Sequence, residues 1–247
     1  MNLSFYNAAV GMQQQQLRMD IQANNIANVN THGFKAQQVS FSQLMYRDLQ
    51  GIDDTLPRGT GTRVDKSITD FSPAHIAETG RTLDFAIIGD GFFALYDPLN
   101  GEISFTRDGS FTMASFEVLN ENAQEGEPQT KLEYRLSDGD GRCVLDTRGN
   151  FIRMEHSNEV ASEIGVFDYA IMDGMLHANG SRFLPKDKNG DLYWGTGRVE
   201  QGVLEISNVD LAHEMVKVIE AQRAYSYALR MVQTSDEIET TINGLRG

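Results

Sequence analysis

Cysteine is all but missing from this chain. Cys143 stands alone, which excludes an internal disulfide and a cysteine-based zinc site. Cations are scarce as well: 21 Lys and Arg face 35 Asp and Glu, for a formal net charge of −14. That is the reverse of the clustered basic surface a nucleic-acid binder needs. No apolar run approaches the ~18 residues of a membrane-spanning helix, so no membrane insertion is expected. The opening stretch, residues 1–16, has neither a positively charged start nor an apolar core, so no cleaved secretory signal is expected. The histidines, His32, His75, His156, His177 and His213, never fall at metal-ligand spacing.

Catalytic motifs are missing too. There is no Gly-x-Ser-x-Gly, no His-Glu-x-x-His and no phosphate loop. Asp187-Lys-Asn-Gly-Asp191 resembles the start of a calcium loop. However, its glycine falls at position four rather than six, and position twelve is Arg198 instead of a glutamate, so a β-turn is expected there. Gly89-Asp-Gly91 lacks the third glycine of a dinucleotide fingerprint and is followed by Phe92-Phe-Ala rather than a helix. No enzymatic activity, metal or cofactor is therefore expected.

What is present is ordinary globular material. The 247 residues are 40% hydrophobic and 23% charged, which excludes collagen-like, mucin-like and wholly disordered readings. The charge is unevenly spread. Residues 81–205 carry twenty-two acidic and eleven basic groups, whereas residues 1–40 carry only Arg18, Asp20 and Lys35. Near-neutral ends can pack closely, and an acidic middle suits exposure.

Residues 3–29 read as a helix. Phe5, Ala9, Met12, Gln16, Met19, Ala23 and Ile26 recur at alternating spacings of four and three, a heptad line over three repeats. The remainder is polar but uncharged (Gln13 to Gln16, Asn24, Asn25, Asn28), unlike a solvated monomeric helix. Thr31-His32-Gly33 supplies the stop signal, with Gly33 expected at positive φ. Residues 208–245 read as a second long helix, capped by Asn208 or Asp210. Leu211, Met215, Val218, Gln222, Tyr225, Leu229 and Val232 keep the same spacing. At 1.5 Å per residue the two helices are about 40 and 55 Å long, more than a 130-residue middle can wrap. An antiparallel pair formed by the chain ends is the economical arrangement.

Between them, residues 36–80 read as an extended connector, in which Val39–Tyr46 forms a short helix or strand. Residues 81–205 read as β-rich. Thr82–Ile88 and Phe92–Tyr96 are expected to form a hairpin about Gly89-Asp90-Gly91, and Ile103–Thr106 turns at Asp108-Gly109 into Ser110–Met113. Further strands are expected at Lys131–Leu136, Arg142–Asp146, Phe151–Glu155, Glu163–Tyr169, Met175–Ala178 and Leu192–Trp194. The fold class is α+β: a stem of paired terminal helices (1–35 and 206–247), a connector (36–80) and an all-β body (81–205) built as a small barrel or sandwich.

Four segments carry a resemblance. Asn24-Asn-Ile-Ala-Asn-Val-Asn-Thr-His-Gly-Phe-Lys35 resembles the N-terminal signature of bacterial flagellar rod and hook proteins. Gly89-Asp-Gly-Phe-Phe-Ala-Leu95 with Phe105-Thr-Arg-Asp-Gly-Ser-Phe111 resembles their body motif. Gly202-Val-Leu-Glu205 with Ser207-Asn-Val-Asp210, and Ala221-Gln-Arg-Ala-Tyr225, resemble their C-terminal helix and its entry. The segments occur in family order over about half the chain, and the length suits the distal or proximal rod type. The resemblance implies a structural subunit of the flagellar rod in the basal body. Such a subunit assembles helically through its terminal helices into the axial drive shaft and export channel. It is exported without a cleaved signal. Its implied partners are copies of itself, other flagellar axial proteins, the export apparatus and rod-surrounding ring proteins. The candidate assembly interface is Phe5, Ala9, Met12, Met19, Asn24, Asn25, Ile26, Asn28, Gly33 and Phe34, with Leu211, Met215, Val218, Tyr225, Leu229 and Val232. The competing reading is a β-rich binding module that oligomerises through coiled-coil helices.

The missing ligand sets make a direct prediction. Neither calcium nor zinc should raise the melting temperature, because a native-state ligand stabilises by mass action. A sharp rise with either ion, read by differential scanning fluorimetry, would contradict it.

Overall fold

The computed structural model describes residues 3–43, 47–50, 55–58, 62–119, 130–154, 163–178 and 181–245. The chain forms two compact units, one of residues 1–29, 36–70 and 209–247 and the other of residues 30–35 and 71–208. The connector expected over 36–80 therefore divides between them.

The first unit holds both helices and two small ladders. Helix α1 is Leu3–Ala27, and strand β1 follows at Gln37–Gln43. Strands β2 (Arg47–Gln50) and β3 (Thr55–Arg58) pair antiparallel, and β4 (Thr62–Thr69) returns antiparallel to β1 with a register shift between Ser40 and Phe41. Helix α2 is Leu211–Leu245. Asp210 is its N-cap, its carboxylate accepting the Ala212 and His213 N–H groups at 2.9 and 3.2 Å. Val39 lies in a strand that ends at Gln43; the rest of the segment expected as a short helix or strand falls outside the described residues.

The helices pack antiparallel, since Asn25 meets Glu214 while Arg18 meets Glu220. Their contact includes a polar network. Asn25 is fully buried, and its side-chain amide pairs with the Gln37 backbone as a ladder residue would: Nδ2 donates to Gln37 O at 2.8 Å and Oδ1 accepts Gln37 N–H at 2.9 Å. The same Nδ2 donates to Glu214 Oε2 at 3.2 Å, and Lys217 Nζ donates to Glu214 Oε1 at 2.6 Å. Gln22 is buried beside them, and with its amide oriented to satisfy both ends, its nitrogen donates to Lys217 O at 3.3 Å and its oxygen accepts from Arg18 Nε at 3.1 Å.

The second unit is β-rich but not a barrel. Strand β5 (Ile76–Glu78) and strand β6 (Phe85–Ile88) begin it. Strands β7 (Phe92–Tyr96), β8 (Ile103–Thr106), β9 (Thr112–Leu119), β10 (Thr130–Ser137) and β11 (Cys143–Val144) follow. Then come β12 (Val166–Tyr169), β13 (Leu176–Ala178), β14 (Arg182–Leu184), β15 (Leu192–Trp194), β16 (Arg198–Gln201) and β17 (Val203–Glu205). The main sheet runs β13-β14-β8-β7-β11-β10-β9, with β12 branching from β7 to β15. It is open: β13 and β9 lie at opposite ends of this order and do not pair. The expected barrel is thus corrected to an open sheet with small two-stranded ribbons, β6–β16 and β5–β17.

Strand β7 explains the run Phe92-Phe-Ala-Leu95. Phe93 and Leu95 enter one core cluster with Phe85, Ile87, Phe111, Leu136 and Ile152. Phe92 and Ala94 enter another on the opposite face with Phe105, Phe167, Tyr169 and Phe183. A strand covered on both sides loses the apolar–polar alternation of a half-solvated one.

Two local expectations change. Strands β6 and β7 do not form a hairpin: β6 pairs with β16, and β7 with β8, β11 and β12. The Gly89-Asp-Gly91 corner is held by Arg107, which donates to Gly89 O at 2.7 Å, and by Gly197 N–H, which donates to Asp90 O at 3.0 Å. It carries the chain from one sheet to another. Residues Asp187–Asn189 form a single 3₁₀ turn, with the Asn189 amide turned inward to Ile171 O at 2.6 Å.

Asn25→Ala should destabilise the first unit by about 1–3 kcal/mol, because Gln37 N–H and C=O and the Glu214 carboxylate lose a buried partner. Hydrogen exchange of α1 and β1 amides would read it. Unchanged protection would mean that the side chain does not hold this junction.

Candidate functional site: a buried ionic cluster

The most heavily constrained place in the second unit is where three distant segments meet. Residues 30–35 leave the helical pattern and dock through their backbone. Gly33 N–H donates to Glu205 O at 2.8 Å, Phe34 O accepts Asn208 N–H at 3.4 Å, and His32 O accepts the Ser181 hydroxyl at 3.2 Å. Gly33 has φ of +64°, as its place after the helix suggests, and a Cβ there would collide with the Arg107–Asp108 backbone. Both the left-handed conformation and the close approach require glycine.

The docked segment delivers Lys35 to Glu205. Lys35 Nζ lies 2.7 Å from Glu205 Oε1 and donates to Ser72 O at 2.8 Å. Ala74 N–H donates to the same carboxylate oxygen at 2.9 Å. The other oxygen, Oε2, meets Arg107 Nη1 at 3.3 Å. Arg107 also donates to Ile87 O and Gly89 O and lies over the Phe92 ring, 5.5 Å from its centroid. Lys35, Arg107 and Glu205 are 0%, 3% and 1% exposed. Two cations thus share one carboxylate, and backbone carbonyls take up further donors. Ions this deeply buried survive only when paired and hydrogen-bonded.

The Lys35 ammonium donates to Ser72 O and to Glu205, and the carboxylate accepts from three groups, so the cluster's partners are one another and the backbone. Among the described residues no group of three or more His, Cys, Asp or Glu could hold a metal ion, and no helix is long and apolar enough to cross a membrane. Cys143 is buried, which pushes its thiol pKa up and keeps it protonated and unreactive.

The candidate assembly residues fall in several places. Asn25, Gly33 and Phe34 are buried. Ala9, Met12, Met19, Ile26 and Asn28 are half-buried, and Phe5 and Asn24 are exposed. On α2, Val218, Tyr225 and Val232 are half-buried, whereas Leu211, Met215 and Leu229 are exposed. The residues that α2 buries are Glu214, Ala221 and Ser235. Val218, Tyr225 and Val232 thus share the less exposed face of α2 with Glu214, Ala221 and Ser235, and Asn25, Gln22 and Glu214 add hydrogen bonds there. Sequence reasoning missed the cluster. Lys35, Arg107 and Glu205 all lie in the segments quoted above, but no spacing rule pairs charges 98 and 170 positions apart.

A chain with paired terminal helices, a two-faced sheet and a buried ionic tie has the character of a structural protein. Comparison with known proteins gives the family. Residues 5–35 match the flagella basal body rod protein family, residues 86–128 the D1 domain of flagellar hook protein FlgE/F/G, and residues 200–245 the flagellar basal body rod FlgEFG protein C-terminal family. Lys35, Arg107 and Glu205 each fall in a different one of these segments. The chain is 33% identical to flagellar basal-body rod protein FlgG of Bacillus subtilis, over 95% of this chain and 96% of that protein. It is 32% identical to FlgG of Borreliella burgdorferi over 98% of both chains, and 31% identical to FlgF of Caulobacter vibrioides over 93% of both. The chain belongs to the flagellar basal-body rod and hook protein family. It is a structural rod protein of the basal body and not an enzyme.

Glu205→Leu should cost about 3–5 kcal/mol, since it strands two buried cations. Gly33→Val should cost more than the ~1 kcal/mol of a routine glycine change, because it meets both strain and a backbone clash. Urea denaturation of purified protein measures both. Wild-type midpoints would show that the cluster and the docked segment are dispensable.

Proposed function

We propose that this rod subunit associates head to tail with copies of itself along a helical path, through α1 and α2, as part of the axial drive shaft and export channel. A heterologous contact that does not close generates such an open filament. Other axial proteins would extend the shaft at its ends. The export apparatus and surrounding ring proteins are the further partners that residence in the basal body implies.

One observation carries this reading. Helix α2 buries only Glu214, Ala221 and Ser235 among its described residues while leaving Leu211, Met215 and Ile219 exposed near its start and Ile238, Ile242 and Leu245 exposed near its end. Each set recurs at three- or four-residue spacing and so shares a helix face. Apolar lines of this kind on a surface mark association sites. The candidate residues Leu211, Met215 and Leu229, together with Phe5 on α1, supply such surface directly.

The test places a charge on these lines. Met215→Asp and Ile238→Asp occupy exposed positions, so each should leave the unfolding midpoint within about 0.5 kcal/mol of wild type. Each should abolish concentration-dependent assembly in sedimentation velocity, and motility in cells. Undiminished assembly by both variants would overturn the proposal. A closed oligomer of fixed mass would instead support a binding module.

A further inference from the structure

We infer that Asn100 is a spontaneous deamidation site, a covalent modification that the fold favours there over the Asn-Gly pairs at Asn189 and Asn243. Glycine follows asparagine at Asn100, Asn179, Asn189 and Asn243. With no Cβ on the following residue, the glycine nitrogen approaches the asparagine carboxamide with little hindrance. The Gly nitrogen attacks the Asn side-chain carbonyl carbon and loses its proton, and the amide nitrogen leaves as ammonia. Water then opens the resulting succinimide to aspartate or isoaspartate.

Sequence alone makes these pairs equivalent; the structure separates three of them, Asn179 lying outside the described residues. Asn189 is fully buried, its amide donating to Ile171 O and Asp173 O and its oxygen accepting Lys186 N–H at 2.7 Å. Its carboxamide cannot turn toward Gly190, and water cannot reach it. Asn243 and Gly244 both lie within α2. There the side chain leans back toward the helix start while the next nitrogen lies ahead of it, so the two are held apart. Asn100 has neither protection. It sits exposed in the turn joining β7 to β8, beside Leu99, which is 91% exposed. Its turn is held by the Gly101 N–H bond to Asp97 O, the Asp97 N–H bond to Glu102 O and the Leu99 N–H bond to Asp97 Oδ1, each 2.9 Å. These bonds lie in a solvent-exposed turn, which opens far more readily than a core element.

The product places a new carboxylate next to Asp97 and Glu102, in a stretch of chain already rich in acid. A subunit that stays in an assembled structure would accumulate this charge with age.

The full chain is incubated in mildly alkaline buffer and digested, and each Asn-Gly peptide is followed by mass spectrometry for the shift of about +1 Da that converts amide to acid. The Asn100 peptide should convert several-fold faster than those of Asn189 and Asn243, and Asn100→Gln should remove its acidic charge variant. In urea the three rates should converge. Equal rates in the folded chain would overturn the inference. So would a difference that persists on unfolding, since the selectivity would then come from local sequence rather than from the fold.

Discussion

The carboxylate of Glu205, buried between Lys35 and Arg107, is the constraint on which the second unit depends. One side chain accepts from an ammonium, a guanidinium and the Ala74 backbone, and so ties together segments near the two chain ends and a hairpin in the middle. Such a tie is a specificity device more than a source of net stability. Desolvating three charges offsets most of their attraction, yet any arrangement that separates them leaves an unpaired buried ion. Residues 30–35 are therefore held in the β-rich unit although α1, just before them, belongs to the other. Gly33 makes that docking sterically possible.

The sheet around the cluster follows a similar logic. Arg107 leaves the end of β8, crosses the Phe92 ring and reaches the carbonyls of Ile87 and Gly89. It thereby holds the corner at which the chain passes from β6 to β7. Strand β7 then separates two aromatic-rich cores, with Phe93 edge-to-face against Phe111 on one side and Phe92 edge-to-face against Phe71 on the other. Such contacts fix ring orientations as well as burying area.

The helical unit mixes polar and apolar side chains where its helices meet. Gln22, Asn25, Glu214 and Lys217 form a hydrogen-bonded group there, Ala221 is buried on the same face of α2, and much of the remaining apolar surface of α2 is exposed. Buried polar partners specify register at the expense of stability. Outward apolar lines gain their stabilisation only against neighbours. Both properties suit a chain whose final structure is an assembly and not a monomer.

The sequence by itself determined the two helices, a cap at Asn208 or Asp210, the positive φ at Gly33, several of the strands and, through ordered motifs, the rod and hook family. These are local signals: period, turn chemistry and short segments. Tertiary structure decided the remainder. The strand pattern was compatible with a closed barrel or a hairpin at Gly89, and only the pairing of β6 with β16 and the branching of β12 made the sheet open. The heptad spacing on α2 overlaps the less exposed face only in part, through Val218, Tyr225 and Val232, and it could not foresee the Asn25–Glu214 contact that joins the helices across 189 positions of chain. Lys35, Arg107 and Glu205 were each visible as charged residues and invisible as a cluster. A charge in a sequence carries no mark of its partner, and burial, which makes the pairing obligatory, exists only after folding.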